Sequence, residues 1–410
     1  MPAKQNGVVR FFKRIIFAVI FIVGLFFCIL YVGDRLLGLG VRIQHSFIPA
    51  SPLSPWNMPV FKDKPWAKSY WQDERASTAT LAWHPYVYWR RGLTETETVN
   101  IDSAGIRKTW LPDSPPADGR TLRIWAFGGS TMWGNGSPDD ETIPSHLAKQ
   151  LAAENIYAEV VNFGEVGYVT TQNLIMLQRS LLEREKPDIV IFYDGFNDTF
   201  SAYQQRQAGL TMNEFRRRFE FNLRFRKNDL LADTYRTMFP FLSNLTGRAG
   251  RIYANLASDG EQVGPTMEAL PHGPYPMTDD EYAALAADVI KYYGANLEYA
   301  AQTCRESGIA FFAYWQPSIF HKEPLTEAER MVATAKSAAF PKLQDMYAVT
   351  ENLLHDSALM SRLWFRDIAE TFTDDPDEHF YDEIHIDTEG NKEIAEILSR
   401  DIVASVRENL

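Results

Sequence analysis

Cysteine is nearly absent. Cys28 lies inside an apolar run and Cys304 far downstream in a segment of helical periodicity, and there is no third among 410 residues. With no CxxC pair and no Cys/His group at zinc-ligand spacing, a structural disulfide, a thiol nucleophile and a thiolate metal centre are all disfavoured. Cys304 reads as a small packed hydrophobe. Phosphate-cradling loops are missing too. Neither a GxGxxG nor a Walker-type loop occurs, so no nucleotide cofactor is expected, and no other cofactor is implied. Positive charge is short: 41 Lys and Arg stand against 53 Asp and Glu, a net charge of −12. Nucleic-acid binding needs cations concentrated on one face, so that partner class is excluded. The one basic triple, Arg216-Arg217-Arg218, sits with Glu214 and Glu220 and reads as a solvated helix face.

What the chain does have, first, is one long uncharged run, "IIFAVIFIVGLFFCILYVG", at 15–33. About 20 apolar residues in helical form cross a bilayer, so the run suffices as a transmembrane helix. Lys4, Arg10, Lys13 and Arg14 precede it, whereas Arg35 and Arg42 follow with Asp34 between. The positive-inside bias then leaves residues 1–14 in the cytoplasm and the remainder periplasmic or extracellular. A cleaved secretory signal is the competing reading, but its apolar region is usually only about 7–15 residues and is promptly followed by a small-x-small site. No such site follows here, and "LFF" before Cys28 does not suit lipid attachment. An uncleaved membrane anchor is therefore preferred; both readings export the rest of the chain.

Residues 34–120 read as a stalk and a small β-rich cap. The part at 46–80 is rich in Pro, Ser and Trp and suggests an irregular apron, while "HPYVYWRRGLTETETVNIDSAGIRKTWLP" carries short β-type runs. "PDSPPADG" marks a break. From 121 to 410 the pattern alternates. The apolar runs "LRIWAF", "YAEVVNF", "PDIVIFY", "IAFFAYW" and, more weakly, "RLWFRDI" are separated by helical periodicity, as at 171–184 and 281–306. Strands alternating with helices imply an α/β domain with a parallel sheet covered on both faces. Ligands of such sheets bind beyond the carboxyl ends of the strands. Residues 200–275 interrupt the alternation and are expected to form an insertion that acts as a lid or contacts substrate.

The strand ends carry the chemistry. Gly128, Gly129 and Ser130 follow the first run. "VNFGEVGYVT", with Asn162, Gly164 and Gly167, follows the second. "YDGFNDTF", with Asp194, Asn197 and Asp198, follows the third, and "YDEIHIDTEGN" places Asp382 and His385 just before the last helix. A serine hydroxyl becomes nucleophilic when a base such as His385 accepts its proton, and a carboxylate such as Asp382 fixes the histidine tautomer. The oxyanion that forms needs donors, and the backbone N–H groups of Ser130 and Gly167 with the Asn197 side-chain amide supply three. Glycine at 167 lets a backbone donor approach closely. Asp194, Asp198 and Asp387 do not form a compact ligand set with a second histidine, and His379 reads as a surface residue, so no metal is expected.

In sequence order these four blocks resemble those of the SGNH, or GDSL-like, hydrolases. "FGGS" stands at the Gly-Asp-Ser block, "NFGEVG" at the oxyanion-glycine block, "GFND" at the GxND block and "DEIH" at the DxxH block. The resemblance implies a flavodoxin-like three-layer α/β/α domain. It also implies a catalytic set of Ser130, Asp382 and His385 with an oxyanion hole from Ser130, Gly167 and Asn197. Gly129 departs from the family's usual Asp. The expected protein is an exported, membrane-anchored serine esterase of the bacterial cell envelope, acting on an O-acyl ester, with a glycan as the candidate carrier. Two alternatives share the sequence features. One is an acyltransferase that passes the same acyl-enzyme to a glycan. The other is a non-catalytic glycan-binding scaffold using Trp83, Tyr86, Tyr88 and Trp89.

Overall fold

The computed structural model describes residues 3–47, 54–112, 121–215, 217–218, 238–239 and 277–408. The chain divides into two compact units, residues 1–52 with 216–268, and residues 53–215 with 269–410. In the first unit, helix α1 runs from Ala3 to Phe47. Its stretch Lys13–Leu36 is long and apolar enough to serve as a membrane span or as a signal sequence. Most of the insertion expected at 200–275, the "PDSPPADG" break beyond residue 112, and Arg216 of the basic triple lie outside the described residues.

The second unit begins with a collar. Where the sequence suggests an irregular apron, helix α2 forms over Ala67–Ala79. It buries Tyr70 against Val99, Ile101 and Trp133. Two short antiparallel pairs follow. β1 (Ala82–His84) pairs with β2 (Tyr88–Arg90), and β3 (Thr94–Glu95) with β4 (Asn100–Ile101). Arg107 bridges Ile101 on one side and Asn162 on the other. The collar thereby covers part of an edge strand whose backbone would otherwise lie open to pairing.

The main sheet has five parallel strands: β5 (Leu122–Gly128), β6 (Ala158–Asn162), β7 (Ile189–Asp194), β8 (Ala310–Trp315) and β9 (Phe365–Asp367). Their order is β6-β5-β7-β8-β9. Successive side chains of a strand point to opposite faces, and the two cores follow that rule. Ile124, Ala126, Ile189, Ile191 and Tyr193 join one core, with α4 (Ile143–Ala153) and the C-terminal helix α10 (Thr388–Glu408). Trp125, Phe127, Val190, Phe192 and Trp315 join the other. That face is covered by α5 (Thr170–Glu183), α6 (Phe196–Gln205), α7 (Asp279–Glu306) and α9 (Leu343–His355). Two further short helices, α3 (Ser130–Trp133) and α8 (Glu327–Ala339), complete the unit. The result is a three-layer α/β/α sandwich with helices on both faces of a parallel sheet.

Candidate active site

Strand β5 ends at Gly128, and after Gly129 the chain enters α3 with Ser130 as its first residue. This turn leaves Ser130 at the carboxyl edge of the sheet, 4 % exposed. The loop that leads into α10 brings two more side chains to the same point. His385 Nε2 lies 2.6 Å from Ser130 Oγ, and His385 Nδ1 lies 2.5 Å from Asp382 Oδ2. The other oxygen of Asp382 accepts the N–H groups of Ile384 and His385 at 3.0 and 2.8 Å. The carboxylate is thus fixed by its own loop before it meets the imidazole. The Tyr381 ring stacks on His385, with centroids 5.5 Å apart and planes 13° apart. Tyr381 in turn packs on Phe61 and Trp71 of the collar.

The electrostatics suit a base that takes a proton from a hydroxyl. Burial disfavours the His385 cation, but the Asp382 carboxylate outweighs it and raises the imidazole pKa above its ordinary 6.5. The reciprocal effect holds Asp382 low: burial would push its carboxyl up, and the His385 charge overcomes that. A base must be neutral to act, so raising its pKa moves the acid limb of activity upward. In a profile of kcat/KM against pH, that limb should have its midpoint above pH 6.5. Replacing Asp382 by Asn should move the midpoint down, because the main group favouring the cation is gone. A midpoint that stays put in Asp382→Asn would remove His385 as the titrating group.

Of the oxyanion donors expected from the sequence, the Asn197 amide lies against the Gly129–Ser130 turn. Asn197, the second residue of α6, donates its Nδ2 to Tyr168 O at 2.9 Å. A Cβ at position 129 would fall on that same amide nitrogen, and would lie 3.5 Å from Tyr168 O. Any side chain at 129 would therefore require the Asn197 amide to shift, a movement that glycine makes unnecessary. Gly167 has φ of +76°, a left-handed conformation that favours glycine. Among the described residues, neither the Ser130 nor the Gly167 backbone N–H has a protein acceptor. Gly164 is a packing glycine instead, since a Cβ there would strike the backbone of Met132 and Trp133.

The turn at 163–168 that carries Gly167 is held from the collar. Glu165, fully buried, accepts Arg91 Nη1 at 2.6 Å and the Arg91 backbone N–H at 2.9 Å. Trp89 Nε1 donates to Val166 O at 2.9 Å, and Tyr168 OH donates to Trp89 O at 2.6 Å. The Arg91 guanidinium also lies 4.2 Å from the Trp133 ring centroid, three residues past Ser130. Arg107 braces the next turn by donating to Trp133 O, Gly134 O and Ser137 O.

The remaining acidic candidates have other partners. Asp198 accepts the Thr170 N–H at 3.1 Å, and Asp194 accepts Asn173 Nδ2 at 3.1 Å. Burial raises the pKa of both carboxyls, and for Asp194 the neighbouring Asp198 adds to the rise. These groups tie the start of α5 to the start of α6. His379, expected at the surface, is in fact buried. Its Nδ1 faces Asp387 Oδ1 at 3.0 Å, and its Nε2 faces Asp375 Oδ2 at 3.2 Å, with Glu393 Oε1 at 3.9 Å. Burial opposes the cation there, and the neighbouring carboxylates outweigh it, so its pKa is raised above the ordinary 6.5, and the ring ties its loop to the start of α10.

A family model for GDSL-like lipase/acylhydrolase matches residues 126–392. The chain belongs to that family. It is accordingly an ester-hydrolysing enzyme. Among solved structures the chain is similar to a carbohydrate acetylesterase family member from Sinorhizobium meliloti, 15 % identical over 68 % of this chain and 97 % of that one, with a TM-score of 0.36. The lipase Lip_vut3 from a goat rumen metagenome is 13 % identical over 68 % and 97 %, with a TM-score of 0.37. A G-D-S-L family member from Veillonella parvula is 12 % identical over 67 % and 94 %, with a TM-score of 0.34. No curated protein matches the sequence significantly.

Proposed function

We propose that this acylhydrolase is a membrane-anchored serine esterase whose nucleophile is Ser130. The observation that carries the reading is the unbroken chain Ser130 Oγ–His385–Asp382, with links of 2.6 and 2.5 Å. His385 Nε2 takes the hydroxyl proton as Ser130 Oγ attacks the ester carbonyl carbon. Negative charge moves to the carbonyl oxygen, where the Ser130 and Gly167 N–H groups and the Asn197 amide receive it. His385 then gives its proton to the departing alkoxide, leaving an acyl-Ser130 ester. Water enters, loses a proton to His385 and attacks that ester; collapse returns the proton to Ser130 and frees the acid.

The same reading places the anchor at 15–33 and the catalytic unit outside the cytoplasm. Lys4, Arg10, Lys13 and Arg14 before the apolar run support that orientation. An enzyme on that side meets O-acylated glycans, which we take as the substrate class. The test incubates the full chain in detergent micelles with O-acetylated xylo-oligosaccharides and separates the products. Free acetate and deacetylated sugar are expected, both missing with Ser130→Ala. Acetyl groups moved intact to an added unacetylated sugar would make the protein a transferase instead. Turnover of nitrophenyl esters but of no sugar ester would remove the glycan.

A further inference from the structure

A cavity lies away from the serine, lined by none of the candidate site residues. It has a volume of about 210 Å³ and opens between the β1–β2 hairpin and the last turns of α5. Ile106 and Phe163 form its apolar floor; His84, Ser180, Arg179 and Arg184 supply polar groups, with Glu183 at its edge. We propose that this cavity is a binding subsite for one sugar ring bearing a carboxylate, an acidic unit of a glycan chain. The proposal rests on the reading of this enzyme as glycan-directed.

Ser180, His84 and Arg184 are open to such a ring. Ser180 is 3 % exposed, lines the cavity, and its hydroxyl has no partner among the described residues. A hydroxyl so placed is satisfied by a ligand that can donate or accept. His84 Nδ1 lies 3.3 Å from Pro85 O. When Nδ1 donates there, Nε2 is left as an acceptor for a sugar hydroxyl. Arg184 rests its guanidinium 5.4 Å from the Phe163 ring centroid. Among the described residues it has no carboxylate within ion-pair distance. Arg179 is already paired with Glu183 at 3.0 Å. The cavity therefore presents one uncompensated positive charge in a chain of net charge −12, and that matches a single carboxylate.

One aromatic ring stands at the rim: Tyr86, on the turn between β1 and β2, is 71 % exposed. Tyr86 has φ of +69°, a conformation that strains a bulky residue. Its ring lies over Arg179 of the cavity lining, whose guanidinium carbon is 5.3 Å from the ring centroid. A flat exposed ring beside a polar hollow fits the apolar face of a pyranose while the hollow takes its hydroxyl edge. The volume is below the roughly 300–1,000 Å³ of pockets for drug-sized ligands, which limits the occupant to about one ring. Ser180 lies ten residues along α5 from Thr170, about 15 Å at the helical rise. The subsite therefore binds the chain about 15 Å along α5 from the end that meets the catalytic edge, and does not touch the ester.

The test uses the full chain in detergent micelles, carrying Ser130→Ala so that nothing is turned over. Binding of a galacturonate trimer and of neutral xylotriose is measured by titration calorimetry. The galacturonate trimer is expected to bind more tightly, and Arg184→Ala and Tyr86→Ala are each expected to weaken it about tenfold or more. Both side chains are exposed, so each variant keeps the fold. On the active background, neither change should alter nitrophenyl acetate turnover. No binding of the galacturonate trimer, or binding indifferent to both substitutions, overturns the proposal. So does binding confined to phosphatidylglycerol vesicles, which would make the rim a membrane contact. Ester turnover that survives Ser130→Ala would sink the catalytic reading separately, leaving the binding result to be judged alone.

Discussion

Ser130→Ala is expected to lower kcat for a nitrophenyl ester by a factor on the order of 10⁴–10⁶, with thermal unfolding unchanged. The expectation follows from what the hydroxyl does in the structure. Its one side-chain link is to His385 Nε2 at 2.6 Å, so its removal takes away the attacking atom and disturbs little else. His385→Ala should cost about as much, because a serine without its base is no better than no serine. The pair acts as a unit, so the double variant should be no slower than either single one within about tenfold. Multiplying losses would mean that two independent catalysts operate. A Ser130→Ala protein retaining a tenth of its kcat would place the nucleophile elsewhere. Residual turnover above the water rate is expected in all three variants, since the N–H groups of Ser130 and Gly167 and the Asn197 amide stay in place.

The readable parts of this fold are those whose physics is local. β5 and β7 are buried on both faces, so they appear in the sequence as continuous apolar runs between turn signals. Ser130, Asn197, Asp382 and His385 stand out because each follows a strand or precedes the last helix, where the topology must place ligands. β9 is only three residues, Phe365–Asp367, and its run "RLWFRDI" is correspondingly weak. The collar was legible only in part. Trp66, Tyr70, Trp71, Glu74 and Ser77 fall on one side of α2 at helical spacing, a signal that the surrounding Pro and Ser content obscures. Glu165 and His379 were not legible at all. A charged residue between glycines looks like an exposed loop, and Glu165 is buried because Arg91, 74 residues earlier, reaches it. His379 is buried by carboxylates from its own loop and from α10. Contacts of that range leave no periodic trace in a sequence.

Arg91 tests whether the collar belongs to the catalytic machinery or merely wraps it. Its guanidinium joins Glu165, Glu74 and Thr78, and its backbone N–H also goes to Glu165. Glu165 Oε1 accepts the Val166 N–H at 2.8 Å, one residue before Gly167. Arg91→Ala leaves a fully buried carboxylate without its ion pair, a change that typically destabilises by about 3–5 kcal/mol. If the turn then drifts, the Gly167 donor is lost, and one oxyanion donor is worth about 10²–10³ in kcat. We therefore expect Arg91→Ala to lower both the melting temperature and kcat, with KM for a small ester nearly unchanged. Stability alone could explain a fall in activity, so a second variant decides. Arg91→Met combined with Glu165→Gln removes both charges of the buried pair while keeping an amide oxygen to accept the backbone N–H groups of this turn, so melting is expected to recover. Positioning by the ion pair demands that kcat stay low in this double variant although melting recovers. Recovery of both together would make Arg91 a scaffold residue and leave Gly167 to hold its place without it.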